Sequence, residues 1–174
     1  MSETNLLKVD PLLDGVQPST TPVSREAMEL AEFIKDRSHS LVDRIESYQD
    51  IISLEIGDTP LTRMRNVERE TGLRQLYIKF EGGNPSGTQK DRIAFAQCLD
   101  AMRRGYDTIS VATCGNFGAA TAQAAFLAGL HCKVFIPETY HTDRISEMAS
   151  YGAEVIRFPG SYEDNVYHSQ QQAK

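Results

Sequence analysis

Glu81-Gly82-Gly83-Asn84-Pro85-Ser86-Gly87-Thr88-Gln89-Lys90-Asp91-Arg92 is the stretch whose reading decides the fold. A short apolar run, Leu76 to Phe80, precedes it and reads as a strand; Ile93 to Arg104 follows it and reads as a helix. A lysine therefore sits where a Gly-rich turn enters a helix. Such a turn offers free backbone N–H groups, and the helix N-terminus carries a partial positive charge. An anion is accommodated there. A lysine held at that positive end, and partly desolvated, is pushed toward its neutral, nucleophilic form. Gly/Asn/Pro/Ser turns before helices are common, and a first-turn lysine is more often simply solvated. The nearest competing motif is a nucleotide-phosphate loop, which needs Gly, four residues, then Gly-Lys-Ser/Thr. Gly82 and Gly87 have that spacing, but Thr88 stands where lysine is required, and Asp91 would repel a triphosphate.

Downstream of Lys90 the pattern is regular. Ile93, Phe95, Ala96, Leu99 and Met102 form one face of a helix that Gly105 ends. Thr108 to Thr113 reads as a strand, Cys114-Gly115-Asn116-Phe117-Gly118 as a second tight turn, and Ala119 to Leu127 as a small-residue helix. Cys132 to Ile136 is a strand stopped by Pro137, Thr142 to Tyr151 a helix, Glu154 to Phe158 a strand, and Tyr162 to Ala173 a further helix. Strands alternating with helices at this spacing predict an α/β fold, a doubly wound parallel sheet in a three-layer αβα arrangement. The run Leu76–Phe80 is expected to make its fourth strand. Ligands of such sheets bind beyond the carboxyl ends of the strands, and both special turns follow strands.

Upstream, Ser24 is a candidate N-cap. Apolar residues then recur at helical spacing from Met28 to Tyr48, interrupted near Ser38-His39-Ser40. Ile51 to Ile56 reads as a short strand or approach segment. In Gly57-Asp58-Thr59-Pro60-Leu61, Pro60 forces Thr59 toward an extended conformation. Residues 1–24 are polar and acidic with Pro11, Pro18 and Pro22, and are expected to form a flexible extension.

Composition narrows the function classes. A net charge of −6 does not favour a nucleic-acid surface. No apolar run approaches the length of a membrane span, and the first residues resemble neither a signal nor a transit peptide, so the expected compartment is the cytoplasm. Cys98, Cys114 and Cys132 lack C-x-x-C spacing, which argues against a disulfide framework and against structural zinc.

Three ordered motifs carry a family resemblance: Gly57-Asp58-Thr59-Pro60-Leu61, Asn84 to Arg92, and Cys114 to Gly118. They resemble the pyridoxal-phosphate enzymes of the tryptophan-synthase β type, and Glu81 to Gly87 with Lys90-Asp91-Arg92 is most similar to the threonine synthase branch. Ile145 to Gly152 and Ala153 to Ile156 resemble the family's helix and following strand. The resemblance implies that Lys90 holds pyridoxal 5'-phosphate as an imine. It implies that Asn116 hydrogen-bonds the cofactor's ring oxygen. Thr113, Cys114 and the Phe117 backbone would face the carboxylate of a small-molecule amino-acid substrate. The implied reaction converts O-phosphohomoserine and water to threonine and phosphate. Cysteine-synthase-like β-replacement and serine or threonine deamination are the alternatives within enzymes; a non-catalytic domain is the alternative outside them. Gln89, Cys114 and Phe117 depart from the usual residues at their positions, which bears on substrate identity.

Family members are considerably longer, with the loop that cradles the cofactor phosphate and the residue facing the ring nitrogen in their later part. The chain is thus expected to be an N-terminal piece of a protein that is a homodimer at full length. Residues 1–24 would be the extension, 25–92 part of a large cofactor-binding domain, and 93–174 a small αβα domain. On that expectation Phe33, Ile34, Leu41, Ile45, Ile51 and Ile52 lack a partner, and the chain before Thr59 is loosely ordered.

Overall fold

The computed structural model describes residues 23–113 and 115–172. Residues 1–22 of the expected extension, Cys114 and the last two residues lie outside them; Val23 and Ser24 are described, the first packed in the core and the second capping α1. The elements are α1 (Arg25–Lys35), α2 (Leu41–Glu55), β1 (Leu61–Arg63), α3 (Arg65–Thr71), β2 (Tyr77–Lys79), a 3₁₀ turn (Glu81–Gly83), α4 (Lys90–Arg103), β3 (Thr108–Ala112), α5 (Asn116–Ala128), β4 (His131–Pro137), α6 (Ile145–Ser150), β5 (Glu154–Phe158) and α7 (Tyr162–Gln172).

The parallel sheet predicted from the alternation is present, with strand order β3-β4-β5. Its central strand is apolar on both faces, as a covered parallel sheet requires. Val134 and Ile136 join the main core, which includes α4 and α5. Phe135 meets His168 of α7 edge-on, ring centroids 5.5 Å apart, and His168 also stacks on Phe158. α7 thus forms the third layer, and Ser110 Oγ donates to the Ser169 carbonyl at 3.4 Å.

Two expectations about strands are corrected. Leu76–Phe80 does not supply a fourth parallel strand. Its centre is β2, paired antiparallel with β1 in a separate two-stranded ribbon. All three residues of β2 are exposed, so the run cannot be a central strand buried on both sides. Ile51 to Ile56 is not a strand but the last turns of α2. Tyr48 and Ile51 continue one buried helical face, and that face decides the conformation.

The expected lack of a partner is corrected for Ile34, Ile45, Ile51 and Ile52, while Leu41 stays exposed and Phe33 stacks on His39 outside the core cluster. Ala27, Ala31, Ile34, Tyr48 and Ile51 are fully buried in the same cluster as Phe95, Cys98 and Leu127, with Ile45 and Ile52 packed against it. The Tyr48 ring stacks on Phe95 at 6.0 Å, and its hydroxyl donates to the Ala124 carbonyl at 3.1 Å. Arg44 Nε donates to the Ile34 carbonyl at 2.6 Å, satisfying the C-terminal end of α1. Both helices carry serine caps. Ser24 Oγ accepts from the Ala27 N–H and Ser40 Oγ from the Asp43 N–H.

The centre of the molecule is α5. Ten of its thirteen residues are buried, most of them alanines, so the neighbouring helices and strands approach it closely. A helix apolar on every side belongs in the interior.

Candidate active site

The carboxyl ends of all three parallel strands deliver residues to one cavity of about 610 Å³. Thr113 follows β3, Tyr140 to Arg144 follow β4, and Tyr162 follows β5. Gly115, Asn116 and Phe117 open α5 on the same rim, and Lys90 completes it. The structure therefore brings Lys90, Thr113, Asn116 and Phe117 together. Cys114 lies outside the described residues.

Lys90 arrives by a different route from the one expected. Its turn does not follow a strand of the parallel sheet; α4 itself, packed along α5, carries the lysine to the rim. α4 begins at Lys90 rather than after it, with no side-chain cap from Gln89. Thr88 does the capping: its Oγ1 accepts the Lys90 N–H at 3.1 Å. The Lys90 side chain is exposed, not partly desolvated as expected, and its amine has no hydrogen-bond or ion-pair partner among the described residues. The residue after it is the reverse. Asp91 is fully buried, and its Oδ2 accepts from the Ser86 N–H at 3.1 Å and the Ser86 hydroxyl at 2.9 Å. This pins the Gly-rich loop onto the start of α4. Burial pushes the Asp91 carboxyl up, against the Ser86 hydrogen bonds and the charge of Arg144.

A second knot joins two of the motifs singled out in the sequence. Glu81 accepts from Arg92 Nε at 2.7 Å, from the Thr59 hydroxyl at 2.9 Å and from Asn84 Nδ2 at 3.1 Å. The Arg92 hydrogen bonds, aided by Thr59 and Asn84, draw the Glu81 carboxyl down to about 2. Asn84 Oδ1 in turn accepts the Gly57 N–H at 3.1 Å. The Gly57–Thr59 turn thus braces the base of the lysine loop from outside the cavity.

At the other corner, Thr113 is buried and its N–H donates to the Phe135 carbonyl at 3.0 Å. Gly118 lets α5 close down on it. A Cβ there would stand 2.8 Å from Thr113 Cγ2 and 2.8 Å from Met148 Cε. Asn116 and Phe117, the first residues of α5, line the rim and have no helix carbonyl for their N–H groups, whereas the Gly118 N–H is given to the Gly115 carbonyl at 2.9 Å.

Sequence reasoning missed Arg144. Its Nη1 donates to Asn116 Oδ1 at 2.8 Å and its Nη2 to the Ser86 carbonyl at 2.8 Å, while Glu147 holds the guanidinium with bonds of 2.7 Å. Tyr140, His141 and Tyr162 were missed as well. The signal available for all four was position just after a parallel strand. Cys98 and Cys132 are buried, and burial pushes both thiols up, Cys132 to about 12, so they are packing residues rather than nucleophiles. Among the described residues no cluster of His, Cys, Asp or Glu could hold a metal ion, and no helix is long and apolar enough to cross a membrane.

An amine, a hydroxyl, a carboxamide and a helix N-terminus converging on one rim suit an aldehyde-bearing, anionic cofactor and an amino-acid carboxylate. Comparison with known proteins agrees with that class. The model of a family described as "pyridoxal-phosphate dependent enzyme" matches residues 52–174, and the chain belongs to that family. The family's cofactor is the one anticipated from the sequence. Threonine synthase of Methanocaldococcus jannaschii is 34% identical over 131 residues, which is 75% of this chain and 32% of that protein. Cysteine synthase B of Salmonella typhimurium is 37% identical over 105 residues, 58% of this chain and 34% of that protein. Among solved structures, O-ureido-L-serine synthase superposes with a TM-score of 0.57 at 31% identity, over 68% of this chain and 39% of that one. The chain spans about a third of the length of the curated relatives it matches.

Proposed function

We propose that Lys90 is the residue to which pyridoxal phosphate attaches, and that the whole protein is a carbon–oxygen lyase converting O-phosphohomoserine and water to threonine and phosphate. One observation carries the reading: Lys90, at the start of α4, reaches the same cavity as Thr113 and Asn116, which flank the turn from β3 to α5. Bound pyridoxal phosphate supplies a conjugated ring that takes up electrons from the substrate's Cα. The chain's own residues do the rest. Lys90 Nζ, exposed at the rim, attaches the cofactor and, once displaced by the substrate amine, moves protons at Cα and Cβ. The Asn116 carboxamide donates to the cofactor's ring oxygen. Thr113, Cys114 and the Phe117 N–H hold the substrate carboxylate, helped by the positive end of α5.

Borohydride reduction of the cofactor-loaded protein followed by peptide mapping tests the attachment. The expected label is on Lys90, and labelling of Lys79 instead would sink the assignment. Phosphate release from O-phosphohomoserine tests the reaction. Cysteine-synthase-like β-replacement is the second reading, favoured by the 37% identity to cysteine synthase B. Turnover of an O-acylated serine with sulfide, and none of O-phosphohomoserine, would select it.

A further inference from the structure

We propose that Arg144 is a positioning residue that sets which face of the Asn116 carboxamide the cofactor meets; this rests on the reading that Asn116 faces the cofactor. A guanidinium can only donate. The Asn116 atom 2.8 Å from Arg144 Nη1 is therefore the carbonyl oxygen Oδ1, and the amide nitrogen is left as the atom that can serve the cavity. Without that partner the carboxamide is free to turn over and present an acceptor. An electron-rich ring oxygen needs a donor, so the orientation decides whether Asn116 helps or repels.

Arg144 is itself fixed from two sides. Glu147 takes Nε and Nη2 in a fork, at 2.7 Å each, which sets the guanidinium plane. The Ser86 carbonyl takes Nη2 at 2.8 Å. Ser86 is in turn bound through its N–H and hydroxyl to Asp91, the neighbour of Lys90. A continuous path, Asp91 to Ser86 to Arg144 to Asn116, ties the start of α4 to the start of α5. The lysine and the carboxamide are thereby held in register by a residue of the loop after β4. The Arg144 side chain is 22% exposed; its bonds to Glu147 and Ser86 are part-buried, whereas the one to Asn116 lies at the open rim.

The test is a pH titration of the visible absorbance of the protein loaded with pyridoxal phosphate, with cofactor affinity measured alongside. Arg144→Gln and Asn116→Ala are expected to shift the band's midpoint in the same direction. Each should weaken cofactor binding about threefold to tenfold, the loss of roughly one hydrogen bond. The double variant should shift no further than Asn116→Ala alone, because the arginine acts through the asparagine. Arg144→Lys keeps the charge but gathers its donors on one nitrogen and cannot span the partners, and it should show the same shift; it decides the matter if Arg144→Gln does not fold. A wild-type band in the arginine variants beside a shifted one in Asn116→Ala, or shifts that add in the double variant, would overturn the proposal. A band that persists in Lys90→Ala would instead show that the cofactor reading beneath it has failed, and the proposal falls with it.

Discussion

Two regions precede the lysine loop, and they differ in almost every physical respect. The helical pair α1–α2 is capped at both N-termini and sends Ile34, Tyr48 and Ile51 into the core. The ribbon β1–β2, with α3 between its strands, buries nothing: Leu61 is 63% exposed, Ile78 47% and Phe80 60%. Both regions are rich in Leu, Ile and aromatics, so hydrophobicity alone did not separate them. Register with a partner did. The period of α2 puts Tyr48 against Phe95 and Ala124, whereas the short strands of the ribbon have only each other. One region is structural to the cavity; among the described residues the other is fastened through the Glu81 knot and the Asn84–Gly57 bond at its base.

The largest expected effect tests that difference directly. Ile51→Ala and Ile34→Ala each leave a cavity in a closed cluster and should cost about 2–5 kcal/mol. Ile78→Ala, on the exposed ribbon, should stay within about 0.5 kcal/mol. Urea denaturation measures both. Equal losses at Ile51 and Ile78 would mean that the ribbon is packed in solution and that the comparison fails.

The second effect acts on the fastening. The Glu81 carboxyl is drawn down to about 2 from an ordinary 4.5 by Arg92, Thr59 and Asn84. A depressed carboxyl contributes stability that is complete above its unfolded value and is lost as pH falls through its folded one. The window is therefore about pH 4.5 down to 2. Within it, amide exchange over residues 57–83 should speed up before that of α1 and α2. Glu81→Gln should remove the pH dependence of that step while leaving the helical pair unchanged. Simultaneous opening of both regions in acid would show that the knot is not a local joint.

The sequence foretold the chain after Lys90 better than the two regions before it, and the reasons are physical. The alternation after Lys90 was legible because strands and helices there have distinct periods and glycine stops; β3, β4, β5 and the helices between them lie close to where those signals fall. α6 is shorter than predicted, Ile145–Ser150, since Thr142 and Asp143 are taken up by the cavity rim. Leu76–Phe80 was misplaced because a five-residue apolar run has no mark of which sheet it joins. Ile51–Ile56 was misread because β-branched residues suit a strand until Tyr48 and Phe95 are known to stack. Of the site, Lys90 and Asn116 were legible from glycine-rich turns at helix starts. Arg144 was not: its partners Asn116 and Ser86 lie 28 and 58 residues away in the chain, a proximity that only folding creates.

The smallest effect concerns the start of the helical pair. Ser24 joins two bonds: its Oγ accepts the Ala27 N–H at 3.1 Å, and its own N–H donates to Glu55 Oε1 at 3.0 Å. Ser24→Ala removes the first and keeps the second, so the entrance of α1 stays tethered to the end of α2. The cost should be that of a lost cap, about 1 kcal/mol. The ribbon supplies the control. Met64, at the cap position of α3, makes no side-chain cap bond, so Met64→Ala has no such bond to lose. Denaturation midpoints should move for Ser24→Ala with an unchanged denaturant slope, since the native and unfolded surfaces are alike. A changed slope would mean that α1 has come away from α5, and that the helical pair depends on its cap more than on Ala27, Ala31 and Ile34 in the core.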